Sequence, residues 1–382
     1  MRRRTFLSGV TGGAALLAGC QAEPVESGGN GSGTSGGDDG STGTAANGSN
    51  GTTVGDSGGE QTLRVATYPS YLDAPSVSPG GWVKEQFEST HDATLEWFAP
   101  ESGINYFVQR RQQNLGIEAD AYLGLTVDNL VRADAALGDT KLFAPSNTEE
   151  IANYGALKEG LSFDARNRVI PTETSYISLV YNENRIEAPE TLDDLLKPAY
   201  EGALITEDPT QSETGLGFLL QTIENEGEDG YLEYWEALQE NNVRILGSWS
   251  DAYAAYSNGE APIVMSYATD QVFAARGDED MSEHQVAFLN NQGVAYVAGI
   301  GTFADSERAG LVDQFTEFML SPRVQSKVAV LNVAFPVVTN ANLPANFDEL
   351  TYTPQETISY GYDRLRGNLS GWLDAWSRQV SG

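Results

Sequence analysis

The sequence predicts an α/β fold of two lobes, each a mostly parallel sheet flanked by helices, with a ligand held in the cleft between them. Three observations lead there. From residue 61 onward, segments that read as strands alternate with segments that read as helices, the pattern of parallel sheets covered on both faces. The pattern changes at residues 169–181 and again at 294–301, where apolar runs carry the chain out of a first lobe and back into it, with a crossing near residues 171–176. Residues 247–273 hold a turn with Trp249, a helix with Ala252, Tyr253 and Tyr256, and a buried strand over 261–267 that runs into Thr269 and Asp270. An aromatic ring, a hydroxyl and a carboxylate thus gather at a strand's carboxyl end, where open α/β sheets bind ligands.

Residues 62–67 alternate as a first strand and enter a polar, aromatic loop, Tyr68-Pro69-Ser70-Tyr71. Residues 82–88 read as a helix with Trp82, Val83 and Phe87 apolar, and 93–98 as a second strand. Pro100-Glu101-Ser102-Gly103 opens another helix, with Ser102 as its N-cap. Residues 119–125 form a third strand and 128–136 its helix. Beyond the crossing, 176–181 is an apolar strand, 191–196 starts a helix and 202–207 is a strand. The hydroxyl- and glycine-rich turn over 208–217 then enters a helix over 218–224, capped by Ser212 or Thr214 and also suited to receiving an anion. Asp278-Glu279-Asp280 lacks the spaced oxygens of a calcium loop and reads as a solvated face. Residues 285–288 and 294–301 are strands, 309–320 an amphipathic helix, and 355–380 a helical tail with Trp372 and Trp376 one turn apart. The expected lobes are 61–174 with 299–345, and 175–298, followed by C-terminal helices over 346–382.

The first twenty residues are an address. Arg3-Arg4-Thr5-Phe6-Leu7 fits a twin-arginine export pattern, and the apolar run after it is too short to span a bilayer. Leu17-Ala18-Gly19-Cys20 resembles a lipobox, which implies cleavage before Cys20 and lipid on its sulfur, placing the protein outside the cytoplasmic membrane, anchored at the cell surface. Cys20 is the single cysteine, so no intramolecular disulfide can form. Residues 21–60 are rich in Gly, Ser, Thr and Asp and read as a disordered tether. Asn30, Asn47, Asn50 and Asn368 each begin a glycosylation acceptor triplet, which a Gly/Asn/Ser-rich stretch also produces by chance.

The net charge of −32, from 22 Lys+Arg against 54 Asp+Glu, disfavours nucleic acid and suits a protein kept hydrated in concentrated salt. No G-x-S-x-G or H-E-x-x-H motif occurs, and the two histidines, His91 and His284, read as surface residues. Catalytic residues, metal ligands and cofactors are therefore not expected, and an exported hydrolase is the less favoured class.

Asp208-Pro209 followed by Thr214-Gly215-Leu216-Gly217, Gly247-Ser248-Trp249-Ser250 before Ala252-Tyr253, and Val264-Met265-Ser266-Tyr267 resemble the thiamine-binding solute receptors of ABC importers. Phe335-Pro336-Val337 fits as well. More loosely the resemblance extends to receptors for ferric iron and polyamines. It covers nearly the whole chain from about residue 61. It implies a periplasmic-binding-protein type II fold, a monomer whose lobes close on the ligand and then dock on a membrane permease. It also implies contacts from Ser212 and Glu213, from Trp249, and from the run Tyr267, Ala268, Thr269, Asp270 and Gln271. Tyr68 matches an aromatic on the other lobe, and Glu101, Ser102 and Gly103 align with a segment of two acids and a glycine. Ser102 stands in place of the second acid, and Val333 in place of a tryptophan before Phe335-Pro336.

Thiamine chemistry suits such a set. A permanent cation joined to a flat, hydrogen-bonding ring needs aromatic faces, each worth about 0.5–2 kcal/mol, and a carboxylate to balance charge. Tyr68, Trp249 and Tyr267, with Tyr71 behind them, offer faces. Asp270, Glu101, Glu213 and Asp208 offer charge, and Ser212 and Thr269 offer hydrogen bonds. A ferric site would want paired tyrosines with a histidine or carboxylate, and Tyr267 has no tyrosine next to it.

Overall fold

The computed structural model describes residues 61–74, 77–277 and 279–381. The export signal, Cys20, the tether and its acceptor triplets lie outside these residues. The strands are β1 (Gln61–Ala66), β2 (Ala93–Phe98), β3 (Ala121–Thr126), β4 (Phe143–Ala144), β5 (Ile170–Tyr181), β6 (Leu204–Glu207), β7 (Arg244–Leu246), β8 (Ile263–Tyr267), β9 (Gln285–Ala287), β10 (Gln292–Phe303) and β11 (Glu356–Ile358). The helices are α1 (Pro69–Leu72), α2 (Gly80–Thr90), α3 (Ile104–Gln112), α4 (Val127–Leu137), α5 (Glu213–Glu240), α6 (Trp249–Ser257), α7 (Asp270–Gly277), α8 (Ala309–Leu320), α9 (Pro322–Leu331) and α10 (Tyr362–Ser381).

One sheet runs through the molecule in the order β2-β1-β3-β10-β5-β8-β6-β7. Its two ends are parallel, β2-β1-β3 in the first lobe and β8-β6-β7 in the second. Its middle is antiparallel, because β5 and β10 are the crossing strands and run in opposite directions. Residues 169–181 are thus a single strand from Ile170, where the sequence suggested a strand only from Tyr176. Its first half pairs with β10, and its second half also takes β8 and β9. The register slips between Ala298 and Gly299, at the level of Glu173 and Pro171. A bulge of this kind bends a strand and re-aims its side chains.

The helical turn after β6 is set by glycine. A side chain at Gly215 would overlap the Glu207 carbonyl oxygen, and one at Gly217 would sit 2.5 Å from Ile177 Cγ1. Both positions must be bare for α5 to lie against the carboxyl end of β6. The helix begins at Glu213, five residues before the expected start, and continues past a non-helical Gly227, with a φ of 77°, to Glu240. Ser212 occupies its N-cap without capping it, and Gly103, not Ser102, precedes α3. Pro69–Leu72, expected as loop, is a short helix. The tail divides into β11 and the single helix α10.

Two large cores support the sheet. One, built on Phe87, Leu95, Phe315 and Leu320, lies among β1, β2, α2 and α8. The other is continuous from Phe107 and Leu130 through Phe218 and Trp235 to Trp372 and Trp376. It therefore joins α3 and α4 of the first lobe to α5 of the second, with α10 across both. Tyr362 on α10 donates to Asp134 on α4, while Arg364 pairs with Glu224 on α5 at 2.6 Å.

Candidate functional site

The residues at the carboxyl ends of β1 and β8 come together at β5 and β10, through Glu173 and Tyr296. On the first-lobe side, Tyr68 follows β1. Its ring lies over Gly124, where a Cβ would come within 2.5 Å of it, so only glycine leaves room. Tyr68 meets Tyr71 edge-on at 5.5 Å, and Tyr71 meets Trp97 likewise. The Tyr68 hydroxyl donates to Glu173 Oε1 at 3.2 Å and accepts from Asn332 Nδ2 at 2.8 Å. Asn332 also donates to the other oxygen of Glu173.

The second-lobe side is a chain of rings. Trp249 opens α6 and is 37% exposed; its indole N–H donates to Ser266 Oγ at 3.0 Å. Its ring lies 5.0 Å from Tyr253 and 6.2 Å from Tyr267. Tyr267, the last residue of β8, meets Tyr296 of β10 edge-on at 5.5 Å. Tyr68, Tyr267 and Tyr296 keep some solvent access although protein crowds them, as expected of residues lining a narrow cleft. Burial first, and neighbouring acids second, hold all three phenols well above their usual pKa, so they stay neutral.

Glu213 opens α5 at one side of this crevice. It is reachable by solvent yet walled by protein, and desolvation, then Asp128, push its carboxyl up to about 7. Asp128 and Arg132 lie on α4 of the first lobe, and Arg132 reaches the Pro209 carbonyl oxygen at 3.5 Å, so the lobes meet here. Behind Glu213 the Ser212 hydroxyl bonds that of Thr214 at 2.8 Å, and Thr214 donates to Glu207 at 2.8 Å. Glu207 is fully buried, and burial raises its carboxyl to about 8. Glu101 and Ser102 are exposed in a turn, and Gly103 lies beside the Tyr122 hydroxyl.

The structure thus gathers Tyr68, Trp249, Tyr267 and Glu213 around one region, with the Glu101–Gly103 turn at its margin through Tyr122, on which the Glu213 charge also acts. It directs other side chains elsewhere. Ala268 is buried, Thr269 donates to the Val333 carbonyl oxygen at 2.7 Å, and Gln271 bonds His284 O and Tyr352. Asp270 is buried and takes bonds from Tyr253 at 2.6 Å and His284 at 2.7 Å. Asp208 is occupied by Thr210 and Gln211. The strand end was legible in sequence, but the direction each following side chain takes was not.

His284 is a correction: it is buried at 4% exposure rather than on the surface. Its Nε2 lies 2.9 Å from Glu279, and its Nδ1 faces Asp270 and, at 3.2 Å, the Tyr253 hydroxyl. Burial opposes its protonation, but the bond to Asp270 and the charges of Asp270 and Glu279 outweigh that and raise its pKa above 6.5. The stability it adds is fully present below its unfolded value and is lost as pH rises through the folded value. A His284→Asn variant is therefore expected to lose more melting temperature, relative to wild type, at pH 5.5 than at pH 8.5; an equal loss at both would contradict this.

Sequence reading missed Glu173, Tyr296 and Asn332. The available signal was a carboxylate in the 169–181 run, which is otherwise apolar or hydroxylated and was read only as a crossing. Val333, beside Asn332, has a φ of 52°, strained for a β-branched residue. Such strain gathers at ligand clamps.

Two parallel half-sheets joined by crossing strands, with an aromatic crevice between them, define a two-lobed solute receptor. Residues 130–363 match the model of a family described as bacterial extracellular solute-binding proteins, and the chain belongs to that family. It is 29% identical to the thiamine-binding periplasmic protein of Escherichia coli (strain K12) over 320 residues, covering 84% of this chain and 93% of that one. The Haemophilus influenzae thiamine-binding periplasmic protein is 25% identical over 336 residues, covering 84% and 93%. Among solved structures, a periplasmic thiamin binding protein superposes with a TM-score of 0.73 at 26% identity, covering 85% of this chain and 97% of that one. A ferric binding protein from Campylobacter jejuni reaches 0.66 at 17% identity, covering 83% and 99%, and shares the periplasmic-binding-protein type II fold.

Proposed function

We propose that the protein captures thiamine, or a phosphate ester of it, between its lobes and delivers it to an ABC importer. The observation that carries this reading is the ring series Trp249–Tyr267–Tyr296 facing Tyr68, with Glu213 at its side. Neutral aromatic faces attract an organic cation, and an acid beside them balances its charge. The thiamine-binding names of the relatives support the same choice. A ligand touching both lobes favours the closed form by its extra contacts, and β5 and β10 are the segments that flex.

The protein acts as a receptor without cofactor or catalysis, as a monomer tethered outside the membrane through lipidated Cys20. Among the described residues no helix is long and apolar enough to cross a membrane. The closed form docks on a permease. The acidic surface fits work in concentrated salt.

Calorimetry of the full chain in high salt tests the ligand: heat with thiamine is expected, and its absence overturns the choice. Trp249→Ala should weaken thiamine binding about tenfold or more, roughly 1.4 kcal/mol. An unchanged dissociation constant would remove Trp249 from the site. The Tyr267–Tyr296 pair favours ferric iron as a second reading. No charge-transfer colour is expected on adding ferric iron; its appearance would revive that reading.

A further inference from the structure

We propose that Glu173 is the counter-ion of the bound cation, a specificity-determining residue on the floor of the crevice. The proposal rests on the organic-cation reading above. Glu173 is 5% exposed and lies on β5, one of the two crossing strands, opposite Ala298 at the bulge in β10. The groups that bond Glu173 or feel its charge are Tyr68 after β1, Tyr71 on α1, Tyr267 on β8, Tyr296 on β10 and Asn332 after α9. These phenols and the amide are neutral; Glu213 on α5, which acts on the same Tyr267 and Tyr296, is a second acid that titrates in this range. Among the described residues no lysine, arginine or histidine bonds to Glu173 or acts on its ionisation.

A buried carboxylate without a cation is costly, and a protein that needed only a hydrogen-bonded crosslink at this point could use an amide. Here the acid is held in place by Tyr68 and Asn332, close enough to Tyr296 and Tyr267 for its charge to act on both phenols. Burial pushes the free carboxyl up to about 7, against the lowering effect of its two hydrogen bonds. A cation bound beside it supplies the missing positive charge and favours the ionised form. The carboxyl proton then leaves to solvent as the ligand enters, so affinity rises with pH until the free protein is already ionised.

Glu173→Gln keeps the size and the hydrogen-bonding oxygen but not the charge, and Glu173→Asp keeps the charge. The full chain and both variants would be titrated with thiamine between about pH 6 and 8, in two buffers of different ionisation enthalpy, with melting curves to verify folding. Wild type should bind more tightly as pH rises and show heats that differ between the buffers, because a proton is released. Glu173→Gln should lose about tenfold or more in affinity at the upper pH, and its pH dependence and buffer difference should shrink to the part that Glu213 supplies. Glu173→Asp should recover the pH dependence, which a merely structural role would not produce. Wild type that binds thiamine with buffer-independent heats, or Glu173→Gln with wild-type affinity and profile, overturns the role of Glu173 and leaves thiamine binding standing. Wild type with no thiamine heat overturns the ligand reading, and this assignment falls with it.

Discussion

Replacing Arg168 with methionine is expected to destabilise the protein by about 3–5 kcal/mol, the usual result of removing one member of a buried ion pair. Arg168 is 2% exposed and bonds Asp164 at 2.9 and 3.0 Å and Asp134 at 2.7 Å, with its guanidinium 4.8 Å above the Tyr362 ring. Without it, two buried carboxylates remain beside each other, with Lys141 the nearest charge able to balance Asp134. Denaturant unfolding measures the loss, and adding Asp134→Asn should restore part of it. A loss below about 1 kcal/mol would show the network to be solvated and dispensable. The network also gives a pH dependence. Burial raises the Asp134 pKa, but bonds from Tyr362 and Arg168 outweigh that and hold it below 3.8. Its stabilisation is complete above that unfolded value and disappears as pH falls through the folded one.

Gly215→Ala is the second large effect. The added methyl would overlap a backbone oxygen of β6, which cannot rotate away, so about 1–3 kcal/mol of stability should be lost. Because the same turn carries Glu213, thiamine affinity should fall as well. Gly217→Ala meets only the Ile177 side chain, which can repack, and should cost less. Equal melting temperatures for the two variants would show that α5 can shift off β6 freely.

Local pattern carried the sequence reading where the signal is local. β2 and α8 have the predicted bounds, and the ring at the end of β8 meets Tyr296 of β10. Periodicity and strand ends report which segment reaches the cleft. They do not report which way successive side chains turn after a strand stops, and so Thr269, Asp270 and Gln271 looked available when each had a partner inside the protein. Hydroxyls before α5 looked like caps because the buried acid that recruits them, Glu207, is seven residues away from Thr214. His284 looked like a surface residue because its partners lie on α7 and in the segment that follows it. The Tyr68–Glu173–Asn332 cluster joins residues more than a hundred positions apart, and no spacing in the chain announces it.

The long strands β5 and β10 have a further consequence. They give each half of the molecule its central ladder partner: β3 is covered by β10, and β8 by β5. Neither half expressed alone would own a complete sheet. Cut apart, each would present a row of unpaired amides and carbonyls, the template on which separate chains stick edge to edge. The halves are therefore expected to precipitate singly, and to regain solubility only when refolded together.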